Sequence, residues 1–344
     1  MSTNRNQFLD VLKGILILCV VFGHTIQYGS GNIFLQSELY WEHPLMRLIY
    51  SVHMPLFMGI AGYLCYFSLT KYSYLVYIKR RWLKLLPPIL LWSVIGLGWD
   101  NYQQHTCWSL YQTIYQVLTT FWFLWAILIC STLVSVCEQI KNSWLKWGIY
   151  VGLLVVFGCT PDILWWNAHK FMFTCFVSGF YVAKYQKKVG LTHEKGIISC
   201  ILWIVSLALF HKEMYIYTSG FSVIFTGFPH FYEQILIDFF RYISAALGSV
   251  SILYICNISI KILQIHKRLT RLPVAFLSYC GKHSLAIYVL STYQIVYILP
   301  YATKEVSPNL LFNIIETLIV VGICLVVQYL TSKSKLLSRC IIGE

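Results

Sequence analysis

Ten apolar stretches divide this chain, each long enough to enter a bilayer of roughly 30 Å hydrocarbon thickness as a helix. They run approximately over 9–28, 46–68, 82–99, 119–137, 144–160, 163–184, 196–210, 235–256, 275–298 and 310–331. A chain so divided folds as packed helices, because lipid offers the backbone no water to bond. Composition agrees: 58% of the 344 residues are hydrophobic and 11% are charged. Ordinary soluble proteins carry about 25% charged residues, so too few are present here to coat a water-facing surface. The expected fold class is an all-α polytopic membrane protein of about ten transmembrane helices. It forms a single transmembrane domain over 1–344 that ends in a short basic tail at 332–344. Residues 110–118 are expected to form an interfacial amphipathic turn. The segment 211–234, rich in aromatics, is too short for a domain.

The net charge of +13 raises the question of nucleic acid, and the placement of charge answers it. With the N-terminus inside, 19 of the 26 lysines and arginines fall on cytoplasmic segments. The outer loops instead carry Glu38, Glu42, Asp100, Asp162, Glu213, Glu233 and Glu305. That bias puts both termini in the cytoplasm and makes membrane lipid, not nucleic acid, the basic residues' partner. The expected location is the cytoplasmic membrane, as a multi-pass protein. The first apolar run ends in GHTIQYGSG without a small-x-small cleavage site, so it is expected to stay as a span. The twelve cysteines show no CxxC pair and no zinc spacing, which predicts neither a metal site nor structural disulfides.

Within this pattern the first span, DVLKGILILCVVFGH, stands out because it carries Lys13 and His24. Eleven residues apart on a helix, they fall within roughly 20° of one face and roughly 16–17 Å apart along the axis. An ionisable residue at membrane depth needs a partner or a polar cavity, and so marks a functional site by default. The alternative is an interfacial lysine that snorkels, with Asp10 pairing a turn below it, and a histidine bonded to a neighbouring helix. The second span opens with SVHMPLFMGIAGY, which puts His53 at a depth similar to His24. Two neutral imidazoles facing one cavity make a general base and its orienting partner. Against this stands the reading in which each bonds a backbone carbonyl, Pro55 freeing an acceptor. Gly59 and Gly62 allow close helix approach.

The third span starts with YIKRRWLKLLPP, where Lys79, Arg80, Arg81 and Lys84 suit a polyphosphate donor or anionic lipid heads. The positive-inside bias alone also supplies such a cluster. Asp238 with Arg241, His169 with Lys170, Lys282 with His283, and Glu316 are further polar residues inside spans, best explained if they face a common polar interior. Trp122, Phe123 and Trp125 read as belt or packing aromatics.

Taken together, these motifs give the chain a family resemblance. FLDVLKGILILCVVFGHT, HMPLFMGIAGY, KRRWLKLLP and WFLWAILIC follow one another in order, with FTCFVSGFYVAK and LSYCGKHSLAIYVL further on. The chain thereby resembles the acyltransferase 3 family of integral-membrane O-acyltransferases over essentially its whole length. The resemblance implies transfer of an acyl group, usually acetyl, from acyl-CoA to a sugar hydroxyl of a surface polysaccharide or lipid-linked glycan. The family's first-span basic residue, usually arginine, maps onto Lys13 and its histidine onto His24. Its later basic motif maps onto Arg80, Arg81 and Lys84, the last again a lysine. Where the ninth-span motif commonly ends in histidine, Ser291 or Thr292 stands nearby. Lysine keeps the charge of arginine but not its planar fork. The expectation is therefore His24 as general base, His53 assisting it, and Lys13, Arg80, Arg81 and Lys84 holding the donor's phosphates, with no metal. A transporter or flippase of a glycan intermediate is the alternative.

Overall fold

The computed structural model describes residues 7–29, 37–186, 190–224, 230–265, 271–303 and 309–343. The parts of the charge pattern carried by Arg5, Lys187, Lys188, Lys267, Arg268, Lys304 and Glu305, and residues 225–229 of the aromatic segment, lie outside them. Among the described residues the chain is helical and contains no strand.

The helices are α1 (Gln7–Tyr28), α2 (Glu38–Glu42), α3 (Pro44–Lys71), α4 (Tyr74–Gln104), α5 (Leu110–Thr119) and α6 (Trp122–Cys137). They continue as α7 (Ser143–Cys159), α8 (Trp166–Lys184), α9 (His193–Ala208), α10 (Ile216–Ser219) and α11 (Phe231–Ile265). The last are α12 (Arg271–Lys282), α13 (Ser284–Tyr293), α14 (Leu299–Ala302), α15 (Leu310–Thr331) and α16 (Lys335–Leu337). Each of the ten apolar runs falls on one or more of these helices. Among the described residues five helices, α1, α3, α4, α11 and α15, are long and apolar enough to cross a membrane. A sixth crossing arises if α5 and α6, bent by 72° at their junction, count as one span. The amphipathic turn expected at 110–118 is thus the helix α5.

Short polar residues set several helix starts. The side chains of Ser109, Asn142, Thr192 and Asn309 accept hydrogen bonds from backbone N–H groups in the first turns of α5, α7, α9 and α15. These are donors that a helix N-terminus otherwise leaves unpaired. The ninth predicted span is not one uninterrupted helix. It breaks at His283, which has left helical geometry (φ −103°, ψ 22°), and resumes as α13 before a π-helical turn at Gln294–Ile298.

Two compact units divide the chain. One comprises Met1–His53, Leu191–Phe210 and Ala246–Glu344; the other comprises Met54–Gly190 and His211–Ala245. In the first unit α1 lies directly against α12. A β-carbon on Gly14 would stand 2.0 Å from the carbonyl oxygen of Leu277, and one on Gly281 would stand 1.7 Å from that of Asp10. Only glycine permits that approach, which is the usual means by which helices pack where lipid supplies no hydrophobic driving force. Towards its other end α1 meets α15, where Thr25 Oγ1 lies 3.1 Å from Thr317 Oγ1.

The second unit uses the same device between α3 and α8. A β-carbon on Gly62 would stand 2.0 Å from the carbonyl oxygen of Phe176, and one on Gly179 would stand 1.9 Å from that of Gly59. The close approach expected of Gly59 and Gly62 is therefore present. Buried charges in this unit are paired. Lys170, fully buried, reaches Asp162 at 2.8 Å and the Thr160 carbonyl. Arg241 binds Asp238 at 2.7 Å and donates to the carbonyls of Glu213, Met214, Tyr215 and Gly220. Asp162 in turn accepts from the backbone N–H groups of Phe221 and Ser222. These charges anchor the 212–222 segment. Glu316, Lys282 and His283 belong to the first unit.

Candidate functional site

His24 lies in the last turn but one of α1, where its side chain is half-buried. Its Nδ1–H donates to Gln27 Oε1 at 3.0 Å, from a residue three positions on and so on the neighbouring turn. Gln27 Oε1 also accepts from the Tyr50 hydroxyl of α3 at 3.2 Å, and Gln27 Nε2 reaches the Tyr28 hydroxyl at 3.4 Å. This one amide joins the imidazole to a second helix. With Nδ1 committed, Nε2 is the basic nitrogen of the ring.

His53 is buried one turn along α3 from Ile49, and its Nδ1–H donates to the Ile49 carbonyl at 2.6 Å. That acceptor lies four residues back. It is not the Ser51 carbonyl that Pro55 releases, so the expected acceptor was misplaced although the backbone bond itself exists. The ring stands edge-on to Tyr50, with centroids 5.1 Å apart, and is close enough to His24 for the two to interact electrostatically. Tyr50 therefore touches both predicted imidazole assemblies, through Gln27 on one side and through its ring on the other.

Rotation by about 100° per residue places His24 on α1 relative to its neighbours. Gly23 and Gln27 face α3, Gly23 lying near Ile49. Thr25 and Gly29 face α15, where they meet Asn313, Thr317 and Glu316. His24 and Tyr28 lie on the arc between, roughly 100° from each set. The imidazole thus looks into the gap between α3 and α15 within the first unit.

Eleven residues earlier on the same stripe, Lys13 holds Asp10 in an ion pair at 3.0 Å. Asp10 is buried while Lys13 keeps 17% of its side chain exposed. The pairing expected of Asp10 is therefore present, and it fixes the ammonium while leaving further N–H donors on it.

The basic motif lies at the start of α4, in the second unit. Arg80 is exposed and stacks on Tyr72 at 4.4 Å. A hydrogen bond from Arg80 holds the Tyr72 phenol below its usual range. Arg81 is half-buried, lies over Tyr77 at 6.0 Å, and has a buried Nε with no partner among the described residues. Lys84 is exposed. Beyond the end of α6, Glu138 collects Lys146, Lys184, Tyr150 and Tyr181. Burial pushes this carboxyl up, but the hydrogen bonds from Lys184 and Tyr181 prevail and hold it below the usual glutamate value.

None of the six predicted site residues lines the cavity of about 440 Å³ found in the second unit. Its walls include Trp125, Pro161, Leu164, Trp166 and His169. Trp125 is fixed there by its indole N–H, which donates to the Val117 carbonyl at 2.8 Å. Leu164, in its wall, and the next residue, Trp165, are both left-handed (φ 51° and 61°), a strained backbone for non-glycine residues. Where the family motif commonly has a histidine, Ser291 and Thr292 bond the Tyr288 carbonyl.

Sequence reasoning missed Gln27, Tyr50 and Tyr28. The signal was available for Gln27, at i+3 from His24, and for Tyr50, at i−3 from His53, since residues so spaced are neighbours on a helix. Among the described residues no group of three metal-ligating side chains occurs.

A family model described as an acyltransferase domain, that of acyltransferase 3, matches residues 6–332. Two curated relatives are both described as nodulation protein NolL. The one from Mesorhizobium japonicum (strain LMG 29417 / CECT 9101 / MAFF 303099) is 28% identical over 63% of this chain and 60% of its own length. The one from Sinorhizobium fredii (strain NBRC 101917 / NGR234) is 27% identical over 74% of this chain and 70% of its own. The match thus spans less than two thirds of the first relative. No solved structure matches the chain.

Proposed function

The chain belongs to the acyltransferase 3 family, and from that membership we propose that this membrane acyltransferase moves acetyl from acetyl-CoA to a sugar hydroxyl. The acceptor is a cell-surface polysaccharide or a lipid-linked glycan, met in the cytoplasmic membrane. In this reading the ten helical runs are ten spans with both termini cytoplasmic. It predicts that a reporter fused at residue 220 lies outside the cell.

One observation carries the proposal: a half-buried imidazole, His24, whose Nδ1 is committed to Gln27 and whose Nε2 is left basic. In the proposed step Nε2 takes the proton of the acceptor hydroxyl as its oxygen attacks the thioester carbon. The tetrahedral adduct then expels the thiolate of coenzyme A, which takes the proton back from the imidazolium. His53 orients or assists His24. Lys13, Arg80, Arg81 and Lys84 attract the donor's phosphates, with Lys13 keeping donors free beyond its bond to Asp10. The thioester is already activated, so positioning and one base supply most of the acceleration.

The test uses purified protein in proteoliposomes with radiolabelled acetyl-CoA and glycan from cells lacking the protein. His24→Ala is expected to lower label transfer by about 10²–10⁴-fold. Full turnover by His24→Ala would remove the base assignment. Movement of glycan across the membrane by wild-type protein without acetyl transfer would replace the enzyme with a transporter.

A further inference from the structure

Glu316 sits in the second turn of α15 and is 4% exposed. Both carboxylate oxygens are shut off from solvent, and neither has a hydrogen-bond partner among the described residues. A carboxylate held this way inside an apolar helix is costly, and a leucine would suit the position better unless something else supplies donors. Among the described residues the surrounding hydroxyls do not supply them. Thr317 Oγ1 bonds the Asn313 carbonyl and Thr25 Oγ1, while Thr25 Oγ1 also bonds the Phe22 carbonyl. Thr303 Oγ1 is spent on the carbonyls of Gly29 and Leu299.

The carboxylate is nonetheless aimed at α1. A β-carbon on Gly29 would stand 2.4 Å from the Thr25 carbonyl oxygen, 2.5 Å from Glu316 Oε2 and 3.0 Å from Oε1, so the carboxylate lies against a backbone that has no side chain there. Gly29 follows His24 by five residues, and Thr25, the residue next to His24, is tied to the same turn of α15. The orphan carboxylate therefore borders the gap into which His24 looks, on the wall opposite Tyr50.

Two acceptor oxygens with no donor of their own fit a ligand that brings two hydroxyl donors, the pattern of neighbouring hydroxyls on a sugar ring. We propose that Glu316 is the acceptor-binding residue, taking hydrogen bonds from hydroxyls adjacent to the one that is acylated. This rests on the reading above that the acceptor is a glycan, and it identifies the group that recognises it.

The experiment measures apparent KM for glycan purified from cells lacking the protein, and separately for acetyl-CoA, in proteoliposomes of wild type, Glu316→Gln and Gly29→Ala. Glu316→Gln keeps the shape and one acceptor oxygen but loses the charge; Gly29→Ala presses a methyl group against the carboxylate. Both are expected to raise the glycan KM about tenfold or more while the acetyl-CoA KM stays within about twofold. Unchanged glycan KM in both variants, or equal changes in both constants, overturns the proposal. If Glu316→Gln fails to fold, Gly29→Ala decides alone on the same criterion. Absence of any acetyl transfer to glycan by wild-type protein would instead sink the functional reading beneath it.

Discussion

His24 Nδ1 lies 3.0 Å from Gln27 Oε1, and the same oxygen lies 3.2 Å from the Tyr50 hydroxyl. One side-chain amide thus chooses the tautomer of the imidazole and ties it to α3. Gln27→Leu keeps the volume but removes the acceptor. Transfer is expected to fall roughly 10- to 100-fold, in kcat more than in the acetyl-CoA KM. Steady-state kinetics in proteoliposomes check this, and a wild-type kcat would show that Gln27 does not position the ring.

His53 is predicted to matter less to chemistry than His24. Its Nδ1 is spent on the Ile49 carbonyl and its ring is buried. His53→Ala is expected to cost about 1–3 kcal/mol of stability from the lost buried hydrogen bond, and more with the cavity. Thermal unfolding in detergent and transfer rates should show a larger stability loss than His24→Ala and a smaller rate loss.

Lys13 and Asp10 act as a pair at 3.0 Å. Lys13→Gln is expected to raise the acetyl-CoA KM about 5- to 10-fold, since a charge-assisted contact to phosphate is removed. Lys13→Arg restores charge and adds a bidentate fork, so its KM should equal or better the wild-type value. Equal KM values for all three proteins would remove Lys13 from donor binding.

At Gly281 the backbone of α12 meets that of α1, with no room for a β-carbon beside the Asp10 carbonyl. Gly281→Ala is expected to destabilise the protein by about 1–3 kcal/mol or more, because the atom it would meet is the backbone of Asp10 and cannot swing away. Thermal unfolding in detergent reads this directly. The control Gly152→Ala, on α7 where nothing lies within 4 Å, should leave the transition unmoved or raise it slightly, since alanine favours the helix.

Glu138 sets an acid limit. Its folded pKa is depressed below the ordinary value of 4.5, burial opposing and the bonds from Lys184 and Tyr181 prevailing. The stability it contributes is therefore full above pH 4.5 and is lost as pH falls through the lower, folded value. Unfolding of wild type and Glu138→Gln between pH 7 and 3 should show a gap that closes on acidification. A gap independent of pH would assign the effect to shape instead of charge.

The helices were legible in the chain because apolar runs of spanning length have one solution in lipid. Gly59 and Gly62 were legible for a similar local reason. What joined those helices was not. Thr25 and Thr317 lie 292 residues apart, and no spacing rule reaches across that distance. The break at His283 escaped because apolar residues continue on both sides of it and hydropathy does not see backbone angles. Lys170 and Arg241 were recognised as costly, but their partners are loop carbonyls and a loop carboxylate, which composition cannot assign. For the candidate site, His24, His53 and Lys13 were found from residue type and helical pitch. The amide and phenol that organise the two imidazoles required the neighbouring helix to be in place.

The contacts of α1 with α12 and α15 also impose an order in time. The segment that carries Lys13 and His24 leaves the ribosome well before Leu277, Gly281 and Thr317, which pack against it. At about 5–20 residues per second, more than 260 residues must follow Gly14 before Leu277 exists, a delay of roughly 13–50 s. Through that interval the buried Asp10 and the bare glycine face of α1 wait in the membrane for a partner encoded more than 260 residues later. A nascent chain stalled before α12 therefore holds His24, Gln27 and Tyr50 but not the α12 and α15 surfaces that pack against α1.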